Sequence, residues 1–165
     1  MNFLCEDEIE LRPVSLNTKL NNEEYTSSLN QIISVQYNQI DLGKTGYGFD
    51  QKFEGNEANL YFMRMKEFAG RTINDVINDG GKNLHFFRTD IRGNIKKVFD
   101  GIDKNIAKTN PMIFHFALDP EYKGECADRK KGTRNPRIYF MVGVYGMIHI
   151  LFFDPYHEIN PNINM

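Results

Sequence analysis

Three stretches in the C-terminal third, MIFHFAL from Met112, RIYFMVGV from Arg137 and MIHILFF from Met147, are apolar at successive positions rather than at every second one. A strand with one face in water alternates apolar and polar residues, whereas a strand that is apolar on both faces is covered on both sides. These stretches therefore read as central strands, the last two joined by a turn around Tyr145-Gly146. Such a sheet needs other elements to cover it, and the residues upstream carry the patterns that can do so.

Ala58, Tyr61, Phe62, Met65 and Ala69 recur at helical spacing and Gly70 follows as a stop, which predicts a helix over 58–69. Thr72 with Asp75 three residues on resembles a capping box, opening a short helix that ends at Asn78-Asp79-Gly80-Gly81. Ile95, Val98, Phe99, Ile102 and Ile106 mark another helical face, closed before Asn110-Pro111. Further upstream, Tyr25, Leu29, Ile32, Ile33 and Ile40 behind an Asn-Asn-Glu-Glu opening predict one helix from Asn22 to Ile40. NLHFFRT, 83–89, reads as a strand, and the Gly-rich stretch 41–57 as a surface loop or a loosely paired hairpin.

Helix patterns come first and strand patterns last. The expected class is α+β, with helices in the N-terminal two-thirds packed on a mainly antiparallel sheet formed by the C-terminal third. The 165 residues suit a single domain, 1–165. With 41% hydrophobic and 25% charged residues, the chain has the composition of a soluble globular protein and not of a disordered one.

Charge narrows the function classes. Twenty basic against 22 acidic residues leave a net charge of -2, so the chain as a whole gives no electrostatic case for nucleic acid or an anionic membrane. Cys5 and Cys126 are too few and too distant for a disulfide framework or a zinc finger, and fit a reducing compartment. The opening MNFLCEDEIELRP lacks a signal-peptide pattern, and no run of 18 apolar residues occurs, so a cytoplasmic location without membrane contact is expected.

Chemistry has few places to sit. Gly43-Lys44-Thr45 looks like the end of a phosphate-binding loop, but Asn38 stands where the first glycine of that motif belongs, so it is rejected. Lys123, Arg129, Lys130, Lys131 and Arg134 gather in one loop before Arg137 and form a local positive patch, the footprint of a site for RNA or an acidic protein surface. The plainer reading of that patch is a solvated loop.

His115 and His149 lie among Phe, Ile and Leu, where a hydrogen-bonded core histidine is favoured over a catalyst, while His85 has Asp90 near it in sequence. None has the spacing of a metal motif, so neither a metal nor a cofactor is expected. His157 is different, because it follows the end of the last strand together with Asp154, Tyr156 and Glu158. A strand end aims side chains rigidly while its loop leaves them open. There His157 suits proton transfer near neutral pH, with a carboxylate to fix its tautomer and Arg134 or Arg137 to bind a phosphate. As a plain turn, Asp154-Pro155 would end the strand and leave His157 and Glu158 on the surface.

The segment RNPRIYFMVGVYGMIHILFFDPYHEI resembles the C-terminal hairpin of the RelE/ParE toxin superfamily: an Arg-containing strand, a turn, a second apolar strand and a terminal segment with His or Tyr. It is also similar to small uncharacterised bacterial proteins of mobile elements. Several members of that superfamily cut messenger RNA without a metal, the 2'-hydroxyl attacking the adjacent phosphate. The resemblance implies a toxin-antitoxin or defence-type protein, and together with Glu158 as the carboxylate beside His157 it gives a catalytic set of His157, Arg137, Glu158 and Tyr156. In it Arg137 binds phosphate and Tyr156 or His157 serves as terminal acid or base. The other reading is a non-catalytic inhibitor or immunity-type protein that binds an acidic partner through the basic loop. Nothing in the sequence fixes an oligomeric state.

Overall fold

The computed structural model describes residues 20–37, 47, 49, 53–102, 111–119, 121 and 134–160. Cys5, Gly43 to Thr45, Ile106, Tyr122, Lys123, Cys126, Arg129, Lys130 and Lys131 lie outside them, and with them most of the basic loop and of the Gly-rich stretch.

Among the described residues, four helices and five strands make the α+β fold that the sequence pattern predicts. Chain order runs α1 (Asn22–Leu29), β1 (Ser34–Gln36), α2 (Glu57–Phe68), α3 (Ile73–Leu84), β2 (Phe87–Thr89), α4 (Gly93–Ile102), β3 (Ile113–Ala117), β4 (Arg137–Val142) and β5 (Met147–Asp154). The strands form one sheet in the order β1-β5-β4-β3-β2, antiparallel throughout except where β1 runs parallel to β5. No described helix is long and apolar enough to cross a membrane.

The three central strands are covered on both faces, as their unbroken apolar runs require. On one face Phe114, Phe116, Ile138, Phe140, Ile150 and Phe153 pack with Tyr61 and Phe68 of α2 and Ile73 and Val76 of α3. On the other, Ile113, Tyr139, Met141, Leu151 and Phe152 pack with Ile95, Val98 and Phe99 of α4. A bulge in β5 shifts the register, since Tyr139 opposes Phe152 while its neighbour Phe140 opposes Ile150, leaving Leu151 as the extra residue.

Three expectations about element bounds are corrected. The helix expected over Asn22 to Ile40 stops at Leu29, and Ser34–Gln36 beyond it instead form β1, which gains backbone hydrogen bonds by pairing with β5. The Thr72–Asp75 box is made in full, with Asp75 N–H donating to Thr72 Oγ1 at 3.0 Å and Thr72 N–H to Asp75 Oδ2 at 2.9 Å. Its helix, however, runs through Gly80-Gly81 to Leu84, whose side chain is buried in the core with that of Val76. Tertiary packing there outweighs the low helix propensity of two glycines. The strand expected over 83–89 is accordingly shortened to β2.

The turn between β4 and β5 is held from a distance. Ser28, fully buried at the end of α1, donates its hydroxyl to the Gly143 carbonyl and accepts the Gly146 N–H at 2.8 Å. Gly146 needs to be glycine, because its φ is +73° and a Cβ there would stand 2.5 Å from the Ile32 carbonyl oxygen.

Candidate functional site

The α4-covered face of the sheet is apolar along most of its length but polar at one end. Side chains two apart on a strand share a face, so His115 of β3, Arg137 and Tyr139 of β4 and Asp154 of β5 all project from this one. Register brings them side by side: His115 opposes Tyr139, and Arg137 opposes Asp154. Thr89 on β2 adds a hydroxyl 2.6 Å from His115 Nδ1.

The segment after β5 folds back over this polar end. Asp154 starts the fold: its Oδ1 accepts the N–H groups of Tyr156 at 3.3 Å and Glu158 at 3.0 Å, and its Oδ2 the N–H of Ile159 at 2.7 Å. Asn135 N–H closes it from the other side by donating to the Pro155 carbonyl at 2.8 Å. Between these anchors His157 takes a left-handed backbone, φ 56°, which directs its ring inward.

Inward, the His157 ring lies 6.3 Å from that of His115, and its Nδ1 is 3.4 Å from the Asn135 amide nitrogen. Arg137, only 1% exposed, runs beneath and donates to the Asn135 side-chain oxygen and to the carbonyls of Asn135 at 3.3 Å and Pro136 at 3.2 Å. Burial, then the charge of Arg137, then His85, hold the His157 imidazole down at about 4. His115 is held at about 3 by burial first, then Arg137, His157 and His85. Both rings are therefore neutral at pH 7. Burial also raises the Tyr139 hydroxyl well above its ordinary range, with the Asp154 carboxylate adding to it. That phenol stays protonated.

Of the four residues predicted as catalytic, His157 and Arg137 come together and the other two turn away. The Tyr156 ring stands 5.4 Å under the Arg134 guanidinium. Glu158 receives the Tyr47 hydroxyl at 3.4 Å through its carboxylate and the Asn94 side-chain amide at 3.1 Å through its backbone carbonyl. Arg134, read as part of the basic patch, forms a two-pronged pair with Glu57, Nε to Oε1 at 2.6 Å and Nη2 to Oε2 at 2.7 Å, with Glu54 at 3.0 Å from Nη1. It ties the start of α2 to the start of β4.

Sequence reading left His115, His85, Asn135 and Thr89 out of the site. The signal for His115 was present: the polar residues His115, Arg137, Tyr139 and Asp154 of β3, β4 and β5 fall on a common face, with His149 as the one further polar side chain toward its other end. His85, half-buried with φ 47°, and Phe87 of β2 border the cluster, their rings 6.1 Å apart. His149 is elsewhere, packed so closely on Gly143 that a Cβ at Gly143 would lie 2.6 Å from its Nε2. Among the described residues no three His, Cys, Asp or Glu side chains converge as a metal site. Compared with protein-family models, curated proteins and solved structures, the chain gives no match.

Proposed function

We propose that this protein binds RNA and cleaves it without a metal, at the polar end of the sheet around His157, Arg137, His115 and His85. The observation that carries the reading is the association of neutral imidazoles with a buried guanidinium, the His115 and His157 rings 6.3 Å apart and Arg137 beside both. A neutral imidazole has a free ring nitrogen that can accept a proton, and a guanidinium offsets the charge that builds up on phosphorus-bound oxygen.

In the proposed step the neutral His157 takes the proton of a ribose 2'-hydroxyl. The 2'-oxygen then bonds to the adjacent phosphorus as the bond from phosphorus to the 5'-oxygen breaks, and His85 gives that leaving oxygen a proton. The products are a 2',3'-cyclic phosphate and a 5'-hydroxyl, with no change of oxidation state. Tyr139 keeps its proton and supports the floor of the cluster.

The test is cleavage of a defined RNA in excess EDTA, with growth inhibition on expression as a second readout. Wild type should cut, and His157→Asn, which suits the left-handed backbone at that position, and His85→Ala should each lose 100-fold or more, in the range of a lost general acid or base. Full activity in both variants would remove the catalytic assignment. A wild type that neither cuts nor binds RNA would remove the reading itself.

A further inference from the structure

We infer that the RNA taken at this site is single-stranded, with an unpaired base stacked on Phe87. The inference rests on the RNA reading above. Phe87 sits on β2, the outermost strand on its side of the sheet, and is 46% exposed. Its ring centroid is 6.1 Å from His115 and 6.1 Å from His85, so one side rests on the histidine cluster and the other faces solvent. Edge strands of soluble proteins are usually blunted by charge, and a half-exposed phenyl ring there adds little to the core.

Its position makes it useful to a ligand. Phe87 opposes His115 across the β2–β3 pair and shares its face of the sheet, so a base lying on the phenyl ring brings its own sugar and phosphate to His85 and the cluster behind it. Tyr156, also exposed, already has the Arg134 guanidinium over its ring. In a duplex both faces of a base are covered by its neighbours, so a stacking platform of this kind selects unpaired bases.

The sequence has no tryptophan, so Phe87→Trp places a single indole, excitable apart from the tyrosines, at the platform. The probe is a short RNA with 2'-O-methyl riboses, which cannot be cleaved by attack of the 2'-oxygen, used as a single strand and as a duplex. Indole fluorescence should be quenched by the single strand and not by the duplex. By anisotropy of a labelled probe, Phe87→Ala and Phe87→Leu should bind the single strand about 5- to 150-fold more weakly than wild type, the equivalent of one lost base stack. Leucine keeps apolar bulk without a ring, so its loss separates stacking from simple burial, and matched thermal unfolding of the variants shows that the fold is kept. Undiminished binding by Phe87→Ala, or equal binding of duplex and single strand, overturns this inference while leaving the RNA reading standing. A wild type that binds neither probe overturns both.

Discussion

The Asp154 carboxylate accepts the backbone N–H of Ile159 at 2.7 Å, five residues on, and by doing so closes the turn that carries His157. It takes two further amides, those of Tyr156 and Glu158, and is fully buried. The strand-end carboxylate thus builds the backbone under the histidine.

Asp154→Ala leaves three amides without that acceptor and should cost about 3 kcal/mol, because hydrogen bonds to a charged group are stronger than neutral ones and buried donors left unmade are penalised. Asp154→Asn keeps one side-chain oxygen and should lose less. Urea unfolding of the two variants beside wild type measures the difference. Equal stability of Asp154→Ala and wild type would mean that the turn holds without its carboxylate.

At the opposite end of β5, Ser28 and Gly146 fix how the last hairpin turns. Ser28→Ala removes both hydrogen bonds of a buried hydroxyl and should lose about 1–2 kcal/mol. Gly146→Ala should lose about 2 kcal/mol or more, since the added Cβ meets both an unfavourable φ and the Ile32 carbonyl. Thermal denaturation should rank Gly146→Ala below Ser28→Ala.

Both features bear on what could be read beforehand. The central strands, α2 and α4 were legible because burial on one or both faces writes itself into the spacing of apolar residues. β1 was not, because three residues are too short for a period and their strand character comes from pairing with β5, far away in the chain. The Asp154 turn was seen as a strand terminator, yet its amide contacts depend on a left-handed His157 that sequence gives no reason to expect. Arg134 was read by charge alone as part of a binding patch. Its pairing with Glu57, 77 residues away, is a tertiary fact, as is the meeting of His115 with His157.

The Arg134–Glu57 pair offers a direct measure of one such contact. Side chains 17% and 10% exposed are screened less than a surface pair, and the two parallel bonds fix the geometry. A double-mutant cycle with Arg134→Ala and Glu57→Ala should give a coupling of about 2 kcal/mol. Arg134→Lys should recover little of it, because one ammonium cannot span both carboxylate oxygens and stacks poorly on Tyr156. A coupling near zero would show the pair to be no better than a solvated one.

Burial depresses His157, His115 and His149, and this makes stability depend on pH in a defined direction. His157, held at about 4, and His115, held at about 3, stay neutral in the folded protein while the unfolded chain takes up protons near pH 6.5. Below that pH the unfolded state binds more protons, so folding stability is complete above about 6.5 and falls as pH drops toward 4 and then 3. Each unit of depression corresponds to about 1.4 kcal/mol at most. Asp154 acts in the opposite sense: burial raises its carboxyl, so the folded state takes that proton first and gains stability as it does. Because that carboxyl starts to take up its proton above the ordinary carboxylate range, the histidine contribution is read as the difference between wild type and histidine variants over the interval from about pH 6.5 to about pH 5. Over that interval the urea midpoint of wild type should fall with acidification. His157→Asn, which removes one titrating ring and suits the left-handed backbone, should fall less steeply, and combining it with His115→Gln should flatten the profile further. An unchanged slope in the double variant would show that neither ring is held neutral by the fold.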